Sequence, residues 1–142
     1  MHTILQGQNL TALTMTYHIT KKVNYSFKDA LEKTKAALGD EGFGVISEID
    51  LKDKFNEKLG IDFREYRILG ACNPKLAYQA IGQEDKIGVM LPCNILVQDH
   101  ENGEVEVTAI NPMESMSAIE NHALRAIAEE VSRKLRNVIG SL

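Results

Sequence analysis

The chain has 142 residues and a net charge of −4, with 44% hydrophobic and 25% charged residues. That length suits one domain able to bury roughly 68% of its unfolded surface, and that composition excludes a disordered chain. The acidic balance speaks against nucleic acid as a partner, since phosphate binding draws on a clustered basic surface, and no apolar run approaches the ~20 residues that cross a bilayer, which speaks against a membrane partner.

Residues Met1 to Thr14 have no basic start and no apolar stretch leading to a small-residue cleavage site, so they do not read as a signal peptide. They read as an N-terminal extension over 1–14, with a single domain expected over 15–142. Two cysteines are too few for a disulfide scaffold, and without a signal the expected compartment is the reducing cytoplasm, with both thiols free.

Met15, Tyr17 and Ile19 alternate with Thr16, His18 and Thr20, the period of a strand with one buried face. Ser26 stands at an N-cap position, and Phe27, Ala30, Leu31, Thr34 and Leu38 recur at helical spacing up to Gly39, where the helix is expected to stop. Gly42 to Ile49 reads as a second strand, and Leu51 to Leu59 as a short amphipathic helix stopped by Gly60. A third strand over Asp62 to Cys72 runs into Asn73-Pro74, an N-cap followed by a proline suited to the first helical position, which predicts a short helix to about Ile81.

Ile87 to Gln98 is strongly apolar and is expected to be the fourth strand. Asn102-Gly103 supplies a hairpin turn before Val105, Val107 and Ala109 alternate with Glu104, Glu106 and Thr108. Ile119, Ala123, Leu124, Ile127, Val131, Leu135 and Val138 form one apolar stripe on a long final helix. The fold class is therefore α+β: a mainly antiparallel sheet with helices packed on one face.

The most distinctive residues form two similar tetrads, Ala71-Cys72-Asn73-Pro74 and Leu91-Pro92-Cys93-Asn94, each placing Cys-Asn beside a proline. Cys72 precedes a helix start, where the dipole and free N–H groups favour a thiolate. Strand parity instead groups Cys93 with Val89, Leu91, Ile95 and Val97, and Cys72 with Tyr66 and Ile68, which makes both core positions. If the third and fourth strands pair along their full length, Cys72 and Cys93 lie on the order of 16 Å apart at ~3.3 Å per residue. If the stretch before Pro92 is loop, the tetrads share one end of the sheet and form a single pocket.

Other candidates carry less. His2, His18, His100 and His122 lack metal-ligand spacing, so no metal or cofactor is assigned, and the three within the domain read as surface histidines. Gly39, Gly42 and Gly44 follow a helix rather than opening one, which reads as a helix stop and turn, not a phosphate loop. Glu104 and Glu106 read as the wet side of the hairpin. Arg125, Arg133, Lys134 and Arg136 are interleaved with Glu120, Glu129 and Glu130, as on a solvated helix face. Pro112, Met113 and Met116 form a soft apolar corner expected in the core, with a pocket edge as the other reading.

The stretches Leu69-Gly-Ala-Cys-Asn-Pro74, Leu91-Pro-Cys-Asn94 and Ala109-Ile-Asn-Pro-Met113, with the Gly42-Phe-Gly-Val45 turn, resemble a bacterial and archaeal family known as domain of unknown function three hundred and two. The resemblance covers about Met15 to Gly140. It implies a strand, helix, four strands, helix order of the TATA-binding-protein-like kind, with the helices at Leu51 and Pro74 as inserts, and it implies a homodimer. It supplies no reaction.

Three functions follow as expectations. The first is a homodimeric binding module holding a small ligand, an anion or a thiophilic metal near the tetrads, with Cys72 and Cys93 as sulfur ligands and Asn73 and Asn94 as hydrogen-bonding groups. The second is a thiol enzyme using Cys72 as nucleophile or redox centre. The third is an interaction module with purely structural cysteines.

Overall fold

The computed structural model describes residues 16–142. The expected extension over 1–14, His2, and Met15 as an inward residue lie outside the described residues. In chain order the elements are β1 (His18–Val23), α1 (Phe27–Asp40), β2 (Gly44–Asp50), α2 (Leu51–Leu59), β3 (Tyr66–Cys72), α3 (Pro74–Gln83), a 3₁₀ helix (Asp85–Met90), β4 (Cys93–Asp99), β5 (Val105–Ile110), α4 (Pro112–Ser115) and α5 (His122–Gly140).

The strands form one sheet in the order β1-β5-β4-β3-β2, every neighbouring pair antiparallel. Strand parity sends Leu69, Ala71, Ile95, Val97, Val107 and Ala109 to one face, where each is at most 1% exposed. Helices α1 and α5 cover that face with Ala30, Leu31, Leu38, Leu135, Val138 and Ile139, closing the main core. Each large aliphatic side chain so buried stabilises the fold by about 1.5–3 kcal/mol. The α+β class and the strand, helix, four strands, helix order, with α2 and α3 inserted, are those expected from the sequence.

Capping chemistry sets the helix starts. Ser26 Oγ accepts from Asp29 N at 3.1 Å, Asn73 Oδ1 from Leu76 N at 3.2 Å, and Asn121 Oδ1 from Ala123 N and Leu124 N. The first helix runs past the expected stop at Gly39 to Asp40, because the chain reverses at Gly42, whose φ of 83° is the left-handed conformation that glycine adopts without strain.

The structure corrects the sequence expectation at several elements: β2 begins at Gly44 rather than Gly42, β3 at Tyr66 rather than Asp62, and the last helix at His122, after Ile119. β1 begins at His18 and continues to Val23, so Ile19 and Val23 keep the inward parity while Tyr17, at 66% exposure, lies outside the ladder. The α2 stripe has no buried residue; Phe55 meets Phe63 edge to face and Leu59 stays exposed. The expected strand from Ile87 begins at Cys93. Pro92 has no N–H to give a ladder, Leu91 N donates to Gly88 O at 3.1 Å in a tight turn, and Ile87 packs with Ala80 and Leu124 in a second small core. An unbroken apolar run does not by itself distinguish these outcomes.

The face opposite α1 and α5 carries a cross-strand row of Ile49, Ile68, Leu96, Thr108 and Thr20, fixed by the register of all five strands.

Candidate functional site

The late start of β4 decides where the tetrads lie. Ala71 pairs with Cys93 and Gly70 with Asn94, so both tetrads occupy one end of the sheet, and the alternative of sulfurs on the order of 16 Å apart is overturned. Pro92 lies over Gly70: a Cβ built on Gly70 would stand 2.9 Å from Pro92 Cγ and would collide with Ser47 Oγ. That close approach explains a glycine inside β3.

From this end the chain leaves β3 through Asn73 into α3. Asn73 holds that corner: Oδ1 caps the helix, and Nδ2 donates one N–H to Glu41 O at 3.4 Å in the α1–β2 turn. Helix α3 stands over the sheet end, α5 passes beside it, and the two do not close fully. A cavity of about 40 Å³ remains, floored by Ala71, Cys72 and Cys93 and walled by Leu76, Met116 and Ala128 among others. Alanines at 71, 77, 80 and 128 leave this space, where larger side chains would fill it. The exposed lining is wholly apolar.

Cys93 is 8% exposed and keeps core parity with Ile95 and Val97. Burial first, and the neighbouring Cys72 second, push its thiol up to about 11, so it stays protonated at neutral pH. Cys72 is only half-buried, on the β3 face shared with Tyr66 and Ile68, all partly exposed, so the expectation of a core position for Cys72 is corrected. As the last residue of β3, where the pleat gives way to the Asn73 cap, Cys72 lines the same cavity as Cys93. Both cysteines are free thiols.

Asn94 does not line that cavity. It is exposed, at the strand parity opposite Cys93, and with Cys93, Met90, Pro92 and Met116 borders a second hollow of about 110 Å³. Three of the four candidate residues, Cys72, Asn73 and Cys93, therefore meet at one cavity, where Asn73 is tied to the helix start and the α1–β2 turn while neither thiol has a hydrogen-bond partner among the described residues.

No histidine or carboxylate lines the cavity. His18 Nδ1 is 2.8 Å from Thr20 Oγ1 and His100 Nε2 is 2.9 Å from Glu106 Oε1, while His122 opens α5. Among the described residues no group of three His, Cys, Asp or Glu side chains is placed to hold a metal. A nucleophilic thiol would find no base in this lining, and an anion no cationic side chain, only an amide already holding the Asn73 corner. The chemistry on offer is enclosure by apolar surface and contact with sulfur.

Leu76 and Ala128 line the cavity although no sequence motif marks them, and Phe43, marked only as part of the Gly42–Val45 turn, lines it too. Their convergence follows from the β3–β4 register, which no local pattern encodes. Of the soft corner, Pro112 is buried as expected, and Met116 takes the other reading and edges the cavity.

The sequence profile of the family described as Domain of unknown function DUF302 matches residues 19–142. A solved structure, the uncharacterized conserved protein DUF302 from Bacillus stearothermophilus, superposes with a TM-score of 0.82 at 28% identity, covering 88% of this chain and 97% of that one. No curated protein matches the chain.

Proposed function

The chain belongs to the DUF302 family, and from the geometry at its two tetrads we propose that it is a homodimeric binding module whose small ligand occupies the cavity between α3, α5 and the β3–β4 end of the sheet. The observation that carries this reading is the cavity itself: a wholly apolar space beside both thiols, kept open by alanines in an otherwise closed core. Ligand sites are commonly concave, mostly apolar and served by few polar groups, and about 40 Å³ suits an ion or a group of a few atoms. The apolar lining favours an apolar group or a thiophilic metal over an anion, whose desolvation nothing in the lining offsets.

The dimer in this reading is supported by the face free of α1 and α5, where Ile49, Ile68 and Leu96 form a continuous row. The free thiols on adjacent strands fit a reducing compartment such as the cytoplasm.

Native mass spectrometry of the protein purified gently from its own host tests the reading, with Ala128→Leu as the filled-cavity control. The expected result is added mass over a dimer that Ala128→Leu, still folded by circular dichroism, does not carry. Equal added mass on both proteins places the ligand elsewhere and ends the reading.

A further inference from the structure

We infer that the ligand is a soft monovalent cation, copper(I) or its analogue silver(I), held by Cys72, Cys93 and Met116; this rests on the binding reading above and names the ligand class for the same cavity. Every cysteine and methionine among the described residues lies at this one end of the molecule. Cys72, Cys93 and Met116 line the cavity. Met113 and Met116 line a small adjoining hollow, and Met90, Cys93 and Met116 line the hollow on the far side of Pro92. Met116 is common to all three. Elsewhere the core is built from Leu, Ile, Val and Ala, so sulfur is concentrated where the packing is incomplete.

Thiolate and thioether ligands select copper(I) over harder cations. Zinc prefers four ligands of nitrogen, sulfur or oxygen in a tetrahedral set, and the lining offers no histidine or carboxylate. Two thiols and one thioether match the low coordination number of a d¹⁰ monovalent ion. Both cysteines line the one cavity, and Cys72 is near enough to help raise the Cys93 thiol; with Cys93 opposite Ala71, the residue before Cys72, their Cα atoms stand about 6 Å apart by standard ladder spacings. Met116 lines the same cavity, and its three rotatable side-chain bonds let the thioether adjust toward an ion there.

Binding exchanges two S–H bonds for two metal–sulfur bonds, with the Met116 thioether adding a third. Both protons leave to solvent and the metal remains monovalent, so no oxidant or reductant is consumed. The net negative charge of a bis-thiolate site is partly offset by the N-terminus of α3, which begins at Pro74, two residues after Cys72.

The test is anaerobic competition for copper(I) against a chromogenic copper(I) chelator, using the full chain and zinc(II) as a second probe. The inference expects one copper(I) per chain, no retention of zinc(II), and an all-sulfur first shell by X-ray absorption. Cys72→Ser, whose site is half-exposed and tolerant of the change, should lose uptake, and Met116→Leu, which conserves volume, should weaken it at least tenfold; thermal melts confirm that both fold. Uptake unchanged in Cys72→Ser, or copper left with the chelator by the wild type, overturns the inference. An organic mass on the native protein without copper uptake overturns it while leaving the binding reading intact, and the absence of both ends both.

Discussion

Cys93 stands directly across the β3–β4 ladder from Ala71, one position out of line with Cys72, so two cysteines 21 residues apart in sequence border the same apolar space. The relationship depends on β4 starting at Cys93. Had Ile87–Gln98 paired with β3 along its full length, Cys72 would have faced the start of that strand, on the order of 16 Å from Cys93.

Cys93 carries a pH signature. Burial raises its thiol from 9.0 to about 11, so the folded state holds the proton more tightly than the unfolded chain. Its contribution is fully present below pH 9 and is lost as pH rises through about 11. The predicted loss across that window is about 2–3 kcal/mol, seen as a falling denaturation midpoint. Cys93→Val should flatten that fall, and an unchanged pH profile would show that Cys93 does not produce it.

Alkylation should separate the two thiols. At pH 7.5 in the native protein, iodoacetamide is expected to modify half-buried Cys72 and to leave Cys93 largely unreacted, while both react in denaturant. Peptide mapping by mass spectrometry reads the order, and faster reaction at Cys93 would contradict the burial argument.

Gly70 should not tolerate a side chain. Gly70→Ala puts a Cβ 2.9 Å from Pro92 Cγ and into Ser47 Oγ, and the expected cost is about 1–3 kcal/mol by chemical denaturation. Adding Ser47→Ala removes the hydroxyl and should recover part of the loss, while the contact with Pro92 preserves the rest.

How much of this was legible in the sequence depends on the range of the interaction. Ser26, Asn73 and Asn121 act on N–H groups within three residues, so their caps can be read from local spacing, as can the α2 limits set by Leu51 and Gly60. The run from Ile87 to Gln98 could not be read that way, because Ile87 is buried in a 3₁₀ turn against α5 while Ile95 is buried on the sheet, and both look equally apolar. The tetrads share one end of the sheet, but local spacing could not show that Asn94 borders a different hollow from Cys72, nor that Leu76 and Ala128 line the cavity, since that space is made by tertiary register and by which helix positions are small.

The two Asn-Pro corners should differ in weight. Asn111 is 1% exposed; its Oδ1 accepts from Ser132 Oγ at 3.1 Å and Met113 N at 3.2 Å, and its Nδ2 donates to Thr16 O at 3.1 Å. Asn111→Ala strands these buried groups and should cost about 2 kcal/mol or more, against about 1 kcal/mol for the more exposed cap in Asn73→Ala. Denaturation midpoints give the order, and a larger loss for Asn73→Ala would reverse it.

The most direct measurement is a crystal structure of the protein purified from its own host without chelators or added thiols. The binding account predicts electron density in the cavity between Cys93 and Ala128 that the protein chain does not explain. A cavity closed by its own side chains, with Leu76 and Met116 packed against Cys93, would contradict it.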